Sequence, residues 1–262
     1  TSTYKGTYFI TIYCYLCRKM NKLSIITVTY NAENTLERTI KSVQEQTYPF
    51  VEHVIVDGNS TDNTVRVIQK YDNEKLVWIS EPDEGLYHAM NKGISISSGN
   101  YLCFLNAGDT FHSIDSVESI MSAIKDSDNI PDIIYGETAI VDNNGKFLNM
   151  RRLKAPDKLN WKSFKQGMVV CHQAFIANRK NVIEYNTGYR FSSDFDWCIE
   201  VMKRSSSFYN TKTTLINYLN EGLTTMNRKA SLKERYKIMV KHYGHVSTFL
   251  HHIWFLIRTV IK

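Results

Sequence analysis

The chain has 262 residues, 43% of them hydrophobic, with 12 Gly and only 4 Pro. That composition excludes a disordered or repetitive chain and supplies enough apolar side chain for a substantial core. The formal net charge of +6 is concentrated in residues 226–262, which hold eight Lys or Arg against one acid, Glu234; the rest is near neutral, which excludes nucleic-acid binding by the main body.

Residues 23–29, LSIITVT, are an unbroken, largely β-branched apolar run, the pattern of a parallel strand buried on both faces. AENTLERTIKSVQEQ follows, with Leu36, Ile40 and Val43 at helical spacing and Asn31 placed to cap the helix. HVIVDG predicts a second strand, and TDNTVRVIQKY a helix with Val65, Ile68 and Tyr71 on one face. LVWIS, LYHAMNKGISISS and YLCFLN predict strand, helix and strand. Three β–α pairs closed by a fourth strand predict a doubly wound, mostly parallel α/β sheet. Beyond residue 110, SVESIMSAIKD predicts a helix with Val117, Ile120, Met121 and Ile124 inward. DIIYG and ETAIVD predict two strands, and the NNG turn at 143–145 returns the chain through KFLNMRRL as a small hairpin. Residues 169–177 read as a further strand, and SDFDWCIEVMKRS as the start of an amphipathic helix. No Gly-, Pro- or Ser-rich linker interrupts the chain. The expected organisation is one domain over 20–225 and an appended basic helical tail over 226–262.

Residues 1–19 read as an upstream extension foreign to the fold, with Met20 as the expected natural start. The segment YFITIYCYLC within them is too short to span a bilayer and lacks the basic start and cleavage site of a signal peptide. The five cysteines are scattered apart from Cys14 and Cys17. Cys103, Cys171 and Cys198 fall in apolar segments and read as buried reduced thiols of a cytosolic protein. A single CxxC is a weak zinc or redox signal.

Ligands of open α/β sheets bind beyond the carboxyl ends of the strands, where strand order reverses. Asp57 ends the second strand, Glu81 and Asp83 follow the third, and Asn106 and Asp109 follow the fourth. No two glycines are separated by one residue, so the dinucleotide fingerprint is absent, as is the P-loop. Carboxylates without a glycine phosphate cradle suggest phosphates held through Mg²⁺ or Mn²⁺.

The segments SIITVTYNAENTLERTIKSVQEQTYPFVEHVIVDGNSTDNT and EPDEGLYHAMNKGISISSGNYLCFLNAGD resemble the family-two glycosyltransferases of the GT-A fold, in particular bacterial polysaccharide-assembly members. The resemblance covers roughly residues 22–225. It implies a nucleotide-diphosphate sugar donor, UDP-linked by preference, a glycan or lipid-linked saccharide acceptor, a divalent metal and inversion at the anomeric carbon. It assigns Asp57 to the base or ribose, with a turn or cap residue as the competing role. Thr29, Asn31 and Glu33 would line the nucleotide pocket, with capping the competing role, and Asp83 would be the second nucleotide-side acid. Asn91 and Lys92 would pack near the diphosphate, with a plain exposed surface residue the competing role for Lys92, and Asn106, Ala107 and Gly108 would also lie on the donor side. Asp109 would bind Mn²⁺ or Mg²⁺, although Asn106 and Gly108 stand where the family often has acids, so the diphosphate is expected to complete the shell. Asp194 would be the catalytic base, with Asp196 the competing choice, and His172 would stand on the acceptor side, with a satisfied structural histidine the competing role. The EGLTT stretch at 221–225 resembles the loop that closes over the diphosphate, with Glu221 where Gly is more frequent. A sugar nucleotidyltransferase would carry a glycine-rich basic loop after its first strand, which TYNAENT is not; an inactive nucleotide-sugar-binding homologue is the other reading.

In the tail, VSTFLHHIWFLIRTVI places Phe249, Ile253, Leu256, Ile257 and Val260 along one helical face, with Trp254 beside them. His251, His252 and Arg258 interrupt the run, so it reads as lying on a bilayer rather than crossing it. Together with the preceding basic residues it predicts a peripheral protein at the anionic inner face of the cytoplasmic membrane; packing against the body or a second subunit is the alternative.

Overall fold

Strand β1 (Leu23–Thr29) is buried along its whole length, as its unbroken apolar run requires. The structure, a computed structural model, describes residues 21–125, 130–220 and 228–260. The expectations about Cys14, Cys17, Met20 and the EGLTT loop therefore lie outside the described residues. β1 pairs in parallel with β2 (Val51–Asp57) on one side and β4 (Tyr101–Phe104) on the other, and β2 pairs in parallel with β3 (Leu76–Ser80). Three helices cover this half: α1 (Leu36–Gln44), α2 (Thr64–Lys70) and α3 (Leu86–Ile96). α1 buries Leu36, Ile40 and Val43, each contributing about 1.5–3 kcal/mol of apolar burial. Asn31 does not cap it. The helix begins only at Leu36, because the Asn31 side chain accepts from the Thr61 backbone N–H at 2.9 Å instead.

Beyond β4 the sheet is no longer parallel. β8 (Phe175–Asn178) joins β4 antiparallel, and β6 (Ile133–Val141) pairs antiparallel with β8 and in parallel with β9 (Phe208–Leu219). The short β5 (Thr110–Phe111) closes the order β3-β2-β1-β4-β8-β6-β9-β5, with β7 (Phe147–Met150) forming the expected hairpin on β6. The two strands read from DIIYG and ETAIVD are one strand. Gly136 absorbs the irregularity: a Cβ there would lie 2.5 Å from Thr211 Oγ1 and 2.7 Å from Leu215 Cγ, and the β6–β9 register shifts beside it. Residues 169–177 are a strand only from Phe175; a 3₁₀ turn over His172–Ala174 precedes it. The 12-residue β9 carried no expectation, since its TKTT stretch lacks an apolar alternation.

α4 (Ser116–Lys125) buries Val117, Ile120, Met121 and Ile124 on one side of the sheet, and α5 (Ser193–Lys203) packs on the other. Cys103, Cys171 and Cys198 are buried and free, as expected. The tail is two helices, α6 (Arg228–Tyr243) and α7 (His245–Val260), and α6 is not a simple appendage. Its Ile238 and Met239 belong to the core that holds Trp197, Val201 and Met202 of α5.

One contact ties α3 to the sheet. Gly93 faces β1 so closely that a Cβ would lie 2.4 Å from Ile26 Cγ2. Overpacking costs about 1–3 kcal/mol, and Ala in place of Gly returns about 1 kcal/mol of helix propensity. Gly93→Ala is therefore expected to lower the unfolding free energy in urea titration. A stabilised variant would mean that α3 stands off β1.

Candidate active site

Strand order reverses between β1 and β4, so their carboxyl ends open the crevice. Thr29 pairs in register with Asp57, and both stand at strand ends. Asp57 is fully buried, and a buried carboxylate must be surrounded by donors. It accepts from the Ser60 N–H at 2.9 Å, from the Ser60 hydroxyl, and from Ser80 Oγ at 2.7 Å. Its observed role is to shape the 57–60 turn. Asn31, at φ +50°, and Glu33 fasten the loop after β1 to the loop after β2, Glu33 Oε2 accepting from Asn63 N at 2.9 Å and Asn63 Nδ2 at 2.8 Å. The Thr29 hydroxyl is buried and has no hydrogen-bond partner among the described residues.

Two groups on this side remain open. Tyr30, straight after β1, is 63% exposed. The Asp83 carboxylate lies so close to Gly58 that a Cβ there would be 2.6 Å from Asp83 Oδ2, with the Tyr30 ring 3.6 Å from the same point. The carboxylate thus lies directly over the Gly58 backbone. Behind them, Lys92 holds the 81–83 segment, its Nζ 2.9 Å from the Pro82 carbonyl and 2.8 Å from Glu81 Oε1. Asn91 is consumed elsewhere. Its amide donates to the Tyr185 carbonyl at 3.0 Å and accepts from the Tyr185 N–H at 2.7 Å, so the side chain expected near a diphosphate is a brace between α3 and the segment before α5.

The Asn106–Asp109 loop is pinned from below by Thr39 of α1. Thr39 Oγ1 accepts from the Gly108 N–H and donates to the Asp109 carbonyl, both at 2.8 Å. Gly108 has φ +101°, and a Cβ would strike Leu219 Cδ2 at 2.6 Å, so the loop passes there only as glycine. Asp109 is 3% exposed. Its Oδ2 accepts from Gln173 Nε2 at 2.9 Å and its Oδ1 from the Leu219 N–H at 2.8 Å. Burial pushes its carboxyl up to about 7, against the opposing pull of those two hydrogen bonds.

A divalent ion at such a site is held by one or two open carboxylates together with substrate phosphates and waters. Here the described residues offer one carboxylate, buried, with both oxygens already accepting N–H groups. Elsewhere among the described residues the one triad of carboxylate and imidazole groups is Asp196, Glu200 and His242. Lys241 Nζ lies 3.0 Å from Asp196 and 3.4 Å from Glu200, and Lys203 Nζ lies 2.7 Å from His242 Nδ1. Two ammonium groups take the place a cation would have. The residues present do not fit a preformed Mn²⁺ or Mg²⁺ site at either position.

The two acids read as candidate bases stand in the first turn of α5. Asp194 is partly exposed and accepts from the Tyr87 hydroxyl at 3.3 Å. Burial, and then the Asp194 charge, raise the Tyr87 hydroxyl far above its usual range, so it stays a donor. Asp196 differs: it is 4% exposed and accepts from Lys241 at 3.0 and 3.1 Å and from His242 Nε2 at 2.6 Å. Burial raises its carboxyl, but the His242 and Lys241 hydrogen bonds outweigh that and hold it below the usual carboxylate range. Asp196 is thus a fastener between α5 and α6, whereas Asp194 keeps its carboxylate partly open. α6 grips the same segment twice more: Glu234 accepts from the Arg190 and Phe191 N–H groups at 2.9 and 2.8 Å, and Ser231 Oγ meets Ser192 Oγ at 2.9 Å.

Of the two roles open to His172, the structure shows a buried histidine packed among aromatic rings. Its ring stacks on Phe104 at 5.1 Å and stands edge-on to Tyr185 and Trp197, with Nε2 2.6 Å from the Tyr185 hydroxyl. Burial lowers its pKa to about 4, opposed by the Asp194 charge, so the ring is neutral. Sequence reasoning did not single out Tyr30, Tyr87 or Tyr185 as site residues. The first two carried a signal, an aromatic directly after a strand and one in the first turn of a helix; the third shows its place only in the fold.

Known proteins align with this arrangement. An uncharacterized glycosyltransferase of Mycobacterium tuberculosis is 34% identical over 155 residues, 58% of this chain and 56% of that protein. A PGL/p-HBAD biosynthesis glycosyltransferase of Mycobacterium bovis is 30% identical over 185 residues, 67% of this chain and 68% of that one. The amylovoran biosynthesis glycosyltransferase AmsB of Erwinia amylovora is 27% identical over 74% of this chain and 68% of its own. The match thus spans little more than half of the first of these relatives. Among solved structures, S. aureus TarS residues 1–349 with UDP-GlcNAc superposes with a TM-score of 0.67 at 18% identity, over 83% of this chain and 64% of that one, a likeness of fold of the GT-A type. The pattern of Glycosyl transferase family 2 matches residues 24–186, from β1 to the segment before α5, and the chain belongs to that family.

Proposed function

We propose that the chain transfers a sugar from a nucleoside diphosphate donor, a UDP-sugar, to a hydroxyl of a glycan or lipid-linked saccharide with inversion at the anomeric carbon. The observation that carries this is the contrast between the two acids of the α5 first turn. Asp196 is buried and saturated, while Asp194 is partly exposed with one oxygen steadied by Tyr87. Inversion in one displacement needs a base on the acceptor side, opposite the leaving diphosphate. Asp194 takes the proton of the attacking hydroxyl as the new glycosidic bond forms and the bond to the diphosphate breaks. The Tyr87 hydroxyl, kept protonated, orients the carboxylate. At the other end, Tyr30 offers a ring face for a base and Asp83 a carboxylate for ribose hydroxyls or an imide N–H. Asp57 acts on the donor indirectly, by shaping the turn that Asp83 leans on. TarS was solved with UDP and with UDP-GlcNAc, which supports a nucleotide-sugar donor on this fold.

Divalent metals are common in this fold family, yet the described residues hold no preformed site, so no step is assigned to a metal. Transfer in excess EDTA tests the metal: full activity would mean that none is needed. Loss of transfer would mean that Asp109 surrenders its bonds to Gln173 and Leu219 when donor binds.

Asp194→Asn is expected to cut kcat by roughly 10²–10⁴ with donor affinity unchanged. Asp196→Asn should instead lower stability by about 1–3 kcal/mol through its weakened charge-assisted hydrogen bonds, with kcat per folded molecule nearly constant. If kcat ranks the other way, Asp196 is the base and the reading fails.

Tyr30→Ala should weaken UDP binding in calorimetry by about 1–3 kcal/mol, the usual worth of a stacked base. Asp57→Ala should raise KM with kcat little changed. Normal UDP affinity in Tyr30→Ala places the base elsewhere.

Asp109 generates a pH prediction. Its folded pKa, about 7, lies above the ordinary value of 3.8, so the folded state holds this proton more tightly between those limits. Its contribution to stability is fully present below pH 3.8 and is lost as pH rises through about 7. The stability of wild type relative to Asp109→Asn is therefore expected to fall from pH 4.5 to pH 8 in urea titration. A difference independent of pH would show Asp109 ionised throughout.

A further inference from the structure

Helix α7 has its amphipathicity reversed. A helix on a globular surface turns its apolar stripe to the core and its polar residues to water. In α7, Thr248 is fully buried, and His251 and His252 are half-buried, bonded through Nδ1 to the carbonyls of Ser247 and Thr248. Among the described side chains of α7, Phe255 is the one large apolar group packed against the core. Val246, Phe249, Leu250, Trp254, Leu256 and Ile257 are exposed, Leu256 by 70%. An apolar face of this kind calls for a partner.

The charge beside it selects the partner. α6 carries Lys229, Lys233 and Lys237 one helical turn apart, all exposed. Tyr236, next to Lys237, meets the His252 ring edge-on at 5.0 Å, which brings this stripe alongside α7. Glu234, the one acid in α6 and α7, is spent on the backbone of Arg190 and Phe191. The described surface of these two helices is therefore apolar and positive, with no exposed carboxylate of their own. A second copy would set two such lysine stripes against each other. An anionic lipid surface satisfies both features, taking apolar side chains at the acyl boundary and ammonium groups at the headgroups. No described helix is long and apolar enough to cross a membrane, and α7 at 16 residues spans about 24 Å against a hydrocarbon core of about 30 Å.

We propose that α7 lies in the plane of an anionic bilayer surface, its apolar face inserted and the lysine stripe of α6 on the headgroups. The proposal is independent of the sugar-transfer reading, because its test measures lipid binding.

The test is flotation of the full chain at low salt with vesicles of phosphatidylcholine alone and of equal parts phosphatidylcholine and phosphatidylglycerol. The expected result is flotation with the anionic vesicles, suppressed by high salt, and a blue shift of tryptophan emission that Trp254→Phe removes. Phe249→Ser/Leu256→Ser should abolish flotation. These side chains are exposed, so the fold should survive, and an unchanged melting temperature checks this. Lys229→Gln/Lys233→Gln/Lys237→Gln should weaken partitioning into anionic vesicles roughly a hundred-fold, about five-fold for each lysine. Absence of flotation by the full chain overturns the proposal. If that non-binding chain is a dimer that Phe249→Ser/Leu256→Ser dissociates, a second copy covers the face. If removing residues 1–19 restores binding, the chain covers its own face.

Discussion

Burying a carboxylate without a full set of donors costs several kcal/mol, and three acids near the active end of this sheet are almost wholly buried. Asp57, Asp109 and Asp196 are 0%, 3% and 4% exposed, and this constraint fixes the loops around the crevice. Asp57 gathers Ser60 and Ser80, and so joins the turn after β2 to the end of β3. Asp109 gathers Gln173 and Leu219, and so joins the loop after β4 to the 172–174 turn and the end of β9. Asp196 gathers Lys241 and His242, and so joins α5 to α6. Each ties segments far apart in sequence through bonds that cannot be given up cheaply.

The acids left over are those placed for chemistry. Asp83 and Asp194 are only partly buried, and in the proposed reading they serve the nucleotide and acceptor ends of the crevice. Asp194 is held on a rigid backing: Tyr185 stacks on Trp197 at 5.0 Å and on Tyr87 at 5.6 Å, and Asn91 grips the Tyr185 backbone. A neutral His172 completes this wall without competing for the proton that the proposed transfer moves. Preorganisation of a base by locked neighbours is what a one-step displacement requires.

The tail serves two ends with two helices. α6 grips residues 190–196 at three places and enters the core, so deleting it would disturb the proposed base as well as any membrane contact. α7 touches the core chiefly through Phe255 and leaves its apolar face open. Point changes on α7 separate the two roles where truncation would not.

The sequence alone determined the parallel half of the sheet. Apolar β-branched runs alternating with helical periodicity leave few ways to bury both faces, and β1 to β4 with α1 to α3 follow that pattern. It also determined which strand ends carry polar residues, and with them the family. Only the tertiary structure decided what each acid does. Asp194 and Asp196 are two residues apart at one helix start and look equivalent in a string of letters; Lys241 and His242, 45 and 46 residues downstream, are what occupy Asp196. His172 and Asn91 carry the chemistry of a site, but Phe104 and the Tyr185 backbone turn them into structure. Gly136 joins two predicted strands because β9, which no periodicity announced, runs beside it. α7 shows an apolar face in its sequence, but whether that face turns inward or outward depends on what packs beneath it. Local spacing specifies which atoms a segment presents, and the burial that decides whether they are spent or free comes from residues distant in the chain.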